Sequence, residues 1–161
     1  MFAEALAAVE GSVLAAALRG STWLYPLVNA GHIAGIALLF GAIASFDLRL
    51  MGAWRPISLD GLARVLVPVA ATGLALAAIA GSLLFIAKAR DYAASSLFQT
   101  KMLMLLIGLA NALAYHALSR RWRRQRAGTG PLPAAVQRLQ GAVSLAVWLS
   151  VLVLGRLVGY F

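Results

Sequence analysis

Residues 23–46 read WLYPLVNAGHIAGIALLFGAIASF, a run without a single Asp, Glu, Lys or Arg. At 1.5 Å per helical residue it is about 36 Å long, enough to cross a hydrocarbon core about 30 Å thick. In lipid the backbone polar groups find no water, so a spanning segment must bond them internally as a helix; strand-like alternation is absent. Three further runs of this kind follow, at about 62–87, 98–118 and 136–160. Composition agrees, with 62% hydrophobic residues, 12% charged and a mean hydropathy of +0.87, far from an ordinary soluble domain. The expectation is an all-α integral membrane four-helix bundle. Residues 1–161 form a single domain, since this length leaves no room for a second.

The flanks of the first run define the rest of the layout. Residues 1–19 are rich in Ala and Leu, carry Glu4 and Glu10, and lack the positive start of a cleaved signal peptide. They read as an interfacial helix ending near Gly20, with Ser21 or Thr22 capping the first span and Trp23 and Tyr25 at the headgroup level. Asp60-Gly61 opens the second span, 91–96 links the second to the third, and Ala127 to Pro133 is a breaker cluster before the fourth. Pro68 is expected to bend the second span. The absence of Cys excludes disulfides, thiolate ligands and Fe–S clusters.

Net charge is +9, and its placement matters more than its size. Arg49, Arg55, Arg64, Arg120, Arg121, Arg123, Arg124, Arg126 and Arg138 fall at one end of the spans. Arg19, Lys88, Arg90 and Lys101 fall at the other, with Arg156 near the end of the last span. Positive loops stay in the cytoplasm. The expected location is a bacterial inner membrane, with loop 119–133 cytoplasmic and both termini outside. A basic run beside a span meets anionic lipid headgroups, so membrane lipid rather than nucleic acid is the expected partner.

Few residues inside the spans can carry chemistry: Asn29, His32, Thr72, Ser82, Lys101, Asn111, His116, Ser144, Ser150 and Arg156. His32 stands out, about 13 Å below the start of its helix and too deep to reach water easily. Asn29 and Gly35 share its face, and Gly31 and Gly35 form a small-xxx-small pair that admits another backbone or a flat cofactor. Two readings stand side by side. His32 either bonds across helices in a packing seam, or serves haem ligation, quinone binding or proton transfer.

Several stretches carry a resemblance. Tyr25-Pro26-Leu-Val-Asn29-Ala-Gly-His32, Asp47-Leu-Arg-Leu-Met-Gly52 and Gly155-Arg156-Leu resemble the signatures of a family of small bacterial four-helix membrane proteins of unassigned function, over nearly the whole chain. More distantly the chain is similar to HemJ-type protoporphyrinogen oxidases and CopD-type copper-resistance proteins. These place a His in an early helix, an Arg-Leu at its inner end, and a Lys opening a later helix. The HemJ-type proteins bind b-type haem, so the resemblance implies His32 as an axial ligand of haem b, with Lys101 and His116 at matching positions. The fourth helix departs from the oxidase pattern, so substrate identity does not carry over.

Depth tests a bis-histidine site. Spans one and three run in the same direction, and His32 and His116 differ in depth by roughly 19 Å, too much for one iron. Met104 is level with His32 and could face the opposite side of a haem, although a Met there also reads as core filling. Lys101 and Arg156 read either as snorkelling side chains or, with Asn29, as a positive mouth for haem propionates. The resulting expectation is a haem-binding protein with an electron-transfer or oxidoreductase role in the outer half of the membrane. The alternative is a non-enzymatic accessory or assembly subunit of a larger complex. A redox partner fits the first, and the glycine faces would equally serve a homo-oligomer.

Overall fold

The computed structural model describes residues 1–125 and 132–160. Arg126 and most of the breaker cluster lie outside the described residues. The described residues form seven helices: α1 (Phe2–Glu10), α2 (Val13–Gly20), α3 (Leu24–Met51), α4 (Leu59–Ala87), α5 (Ala89–Ala94), α6 (Ser96–Gln125) and α7 (Ala134–Leu157). Helices α3, α4, α6 and α7 are 28, 29, 30 and 24 residues long and apolar enough to cross a membrane. Large apolar side chains such as Leu27, Ile33, Val65, Ile79, Leu106 and Leu113 cover their outward faces. On a water-facing surface that much apolar area would drive association; in lipid it is the matched solvent. The protein is an all-α integral membrane bundle.

Some spans extend past the apolar runs: α6 reaches Gln125, and the extension that shapes the site is at the end of α3. This helix continues beyond Phe46 to Met51 and stops at Gly52, whose φ of 114° is left-handed. Glycine takes that conformation without the Cβ clash other residues meet. Asp47 and Arg49 are therefore helical rather than in a loop. Ser21 caps the start of α3, its hydroxyl accepting the Leu24 N–H at 3.0 Å, and Ser58 caps α4 by accepting the Gly61 N–H at 3.1 Å.

Instead of one interfacial helix over 1–19 there are two. Ser12 breaks the segment by capping α2, its hydroxyl accepting the Ala15 N–H at 3.2 Å. The break lets α2 bury Ala15 and Leu18. Arg19 then clamps the hairpin, donating to the carbonyls of Ala87 and Glu10 at 3.0 Å each. Glu10 completes the strap by accepting from the backbone and guanidinium of Arg90, and that guanidinium holds its carboxyl below the usual range.

Neighbouring spans run antiparallel in the spatial order α4, α3, α7, α6. The α3–α4 seam is glycine against backbone: a Cβ on Gly35 would sit 2.5 Å from Ala77 N, and one on Gly73 2.5 Å from Leu39 N. Gly141 does the same for α3 and α7, where a Cβ would come 2.7 Å from the Asp47 carbonyl oxygen. Helix α6 is held along one side, by Trp148 on Gly108 and by Gln140, whose amide donates to Asn111 Oδ1 at 2.7 Å. Helices α4 and α6 have no close backbone contact and meet through side chains at their two ends, so the backbone gap between them lies in their middle stretches. Asp60 and Arg123 pair at the basic end; Phe85, Tyr92 and Phe98 stack at the far end.

Candidate functional site

The residues singled out in the far half do not converge on one point. His32 lies in the α3–α4 seam, its Nδ1 2.8 Å from the Ala77 carbonyl oxygen. A carbonyl only accepts, so Nδ1 carries the proton and Nε2 keeps its lone pair. The ring rests on Gly81, where a Cβ would meet Cε1 at 2.9 Å. Gly35 belongs to the backbone seam one turn further along α3. Asn29 is exposed in the second turn of α3, and Met104 is half-buried on α6. Lys101 lays its stem on Gly155 of α7, its Cε 3.3 Å from where a Cβ would stand. Arg156 is exposed and turns along its own helix, stacking 4.5 Å above the Tyr160 ring and donating to its hydroxyl. His32 and Gly35 thus share one seam, Lys101 another, and Asn29 and Arg156 join neither.

Toward the basic end the four spans enclose a cavity of about 200 Å3. Its walls are mostly apolar, from Leu39, Ile43, Leu66, Ala70, Leu74 and Leu109, and its polar groups are few: Asp47, Asn111, Tyr115, His116, Gln140, Ser144 and Trp148. Helical spacing puts them there. Leu39, Ala42, Asp47 and Leu50 share the buried stripe of α3, and Gln137, Gly141, Ser144 and Trp148 that of α7. Gly141 brings the two backbones together at the level of Asp47, and Ser144, one turn on, offers its hydroxyl to the carboxylate.

Two polar atoms in this cavity lack a partner. Asp47 is 4% exposed and its Oδ2 makes no hydrogen bond; Trp148 is 3% exposed and its Nε1–H makes none. Among the described residues Asp47 has no ion-pair partner either. Arg49, two positions on, is drawn away by the carbonyls of Ile57 and Arg55, at 2.7 and 3.1 Å. Each buried unsatisfied group costs about 1–3 kcal/mol, and native structures carry few of them. Both residues line the same cavity, with Trp148 Nε1 lying against Gly108.

Sequence reasoning read Asp47 as a salt-bridge partner at the inner end rather than a buried residue of the span, because it sits one residue past the apolar run. The signal was the 3–4 spacing that carries the stripe from Leu39 through Asp47 to Leu50. Among the described residues no three His, Cys, Asp or Glu side chains stand close enough to hold a metal ion. No family model matches the chain, and no curated protein or solved structure shows significant similarity to it.

Proposed function

We propose that this integral membrane protein binds a small, lipid-soluble molecule in the cavity beside Asp47. One observation carries the reading: two residues that line one mostly apolar space, Asp47 and Trp148, each hold a buried polar atom with no partner among the described residues. A ligand that satisfies both must offer a donor to Asp47 and an acceptor to Trp148 on an otherwise apolar body. A single ring bearing hydroxyl or carbonyl groups, of the phenol or quinone/quinol kind, has that chemistry. An apolar cavity of about 150 Å3 holds benzene, so about 200 Å3 suits one substituted ring. The backbone gap between the middle stretches of α4 and α6 gives such a molecule a way in from lipid, and a quinone-type ligand keeps the electron-transfer role within reach.

Titrating the detergent-purified protein with a short-chain quinone and its quinol by calorimetry tests the reading. Binding should weaken at least tenfold in Asp47→Leu and in Trp148→Phe, and should persist in His32→Ala. Equal affinity in all four proteins would refute it.

A second reading keeps haem b at His32, and the Ala77 hydrogen bond favours it. Fixing Nδ1–H on a carbonyl is how proteins set a ligating Nε2. The imidazole fits an axial ligand, whereas the rest of the cradle does not assemble around it: Asn29 is exposed and Arg156 is engaged with Tyr160. On this reading the wild-type protein, expressed with ample haem, shows a Soret band that His32→Ala abolishes and His116→Ala keeps. Absence of both the band and quinone binding would leave the accessory-subunit role, with the polar cluster serving structure alone. In every case the charge asymmetry of the loops supports a bacterial inner membrane with the basic end in the cytoplasm.

A further inference from the structure

Between the Asp47 cavity and the basic end lies a second space, a vestibule of about 570 Å3. Arg49, Ser58, Asp60, Ser119, Arg120 and Arg123 line it, so it is polar where the cavity is apolar. The two spaces share three residues, Phe46, Tyr115 and His116. Phe46 and Tyr115 meet edge to face at 5.8 Å, and His116 stands against Tyr115 at the same centroid distance. Toward the far end the way is filled: Trp148 packs on Gly108, and the Gly35–Gly73 seam closes α3 on α4. A deep carboxylate is thus separated from water on one side only, by two rings and an imidazole.

We propose that Asp47 exchanges protons with the water on the basic side of the membrane, through this vestibule, with His116 as the carrier. The Phe46–Tyr115 pair is the gate. The proposal rests on the Asp47 cavity, whatever ligand that cavity holds. In uptake, one His116 ring nitrogen takes a proton from vestibule water. The other nitrogen releases its own to the Asp47 carboxylate by way of the cavity, turning carboxylate into carboxylic acid. Release runs the same steps backwards, with no change of oxidation state. At about 30 Å3 per water the cavity has room for a short bridging chain.

The groups facing Asp47 suit this traffic. Helix α6 presents Tyr115 and His116; α7 presents the uncharged Ser144 and Gln140; α4 presents only Leu66, Val67, Ala70 and their apolar neighbours. The charges beyond the gate are tied elsewhere, Arg49 to loop carbonyls and Arg123 to Asp60. Arg120 stays in the vestibule beside His116. Among the described residues no cation pairs with Asp47 to fix it as a carboxylate.

The chain has no cysteine, so an introduced one is the sole thiol. The first experiment places Ala112→Cys in the cavity of full-length protein and adds a membrane-impermeant trimethylammonium methanethiosulfonate to vesicles of each orientation. Labelling is expected from the basic side only, and at least tenfold faster once Phe46→Ala opens the gate. Labelling from the far side, or no labelling in the gate-opened variant while Ser119→Cys reacts, overturns the route. The second follows the infrared carbonyl band of the protonated carboxyl after a pH jump in nanodiscs without added ligand, with Asp47→Asn identifying the band. His116→Ala should slow its appearance at least tenfold. An unchanged rate in a folded variant removes His116 as carrier. Neither assay contains a quinone, so their failure and the failure of ligand binding are separate results.

Discussion

Asp47 and Trp148 show how a buried polar pair is diagnosed: neither atom is wrong for the fold, yet neither is satisfied by it. Proteins keep such groups where function requires them and stability suffers for it. Replacing Asp47 by Leu removes a desolvated carboxylate and fills the same side of α3, so this variant should be more stable than the parent. The gain should be of order 1–3 kcal/mol, or roughly 2–4 °C in unfolding midpoint for each kcal/mol. Thermal unfolding in detergent measures it, and a lower midpoint for Asp47→Leu would mean that the carboxylate is a structural anchor. His32 was legible in the sequence, since a lone imidazole in an apolar run draws attention. Its partner was not, because the Ala77 carbonyl belongs to a backbone and no side-chain pattern announces it. Asp47 was misread for a different reason: hydropathy ends a span where charge begins, while the helix ends only at Gly52.

At the scale of elements, the four spans could be read directly from apolar runs of sufficient length, and what those runs left out was how the helices meet. Gly31 and Gly35 looked equivalent as a small-residue pair. In the bundle a Cβ at Gly31 meets nothing within 4 Å, whereas one at Gly35 strikes the backbone of α4. Gly31→Ala should therefore be nearly neutral. Gly35→Ala should cost about 1–3 kcal/mol or more through overpacking, seen as loss of folded protein on size-exclusion chromatography. The N-terminal segment was legible as surface helix but not as a hairpin, because its fold depends on Arg90, 80 positions from Glu10. Arg90 depresses the Glu10 carboxyl below its ordinary value of 4.5. The pairing therefore supports the folded hairpin above that value and is lost as pH falls through the depressed one. Backbone hydrogen exchange in α1 and α2 should accelerate over that acid window, and Glu10→Gln should show the faster exchange already at neutral pH.

For the whole molecule, charge decides orientation and packing decides shape. Nine basic residues against four in the flanking segments should hold the Arg120–Arg124 end in the cytoplasm. A reporter active only in the cytoplasm should give signal when inserted between residues 127 and 130 and none when fused after Phe161; the reverse pair inverts the orientation. The order α4, α3, α7, α6 was beyond the sequence, since hydropathy tells which residues avoid water and is silent on which helix they touch. That order has a consequence for the bilayer itself. With the α4 and α6 backbones apart and joined by side chains at their ends, the middle of that side is where acyl chains would press on the interior. Chain length, unsaturation and lateral pressure then become properties of the chamber, so the same polypeptide in a thinner or more fluid bilayer possesses a different interior.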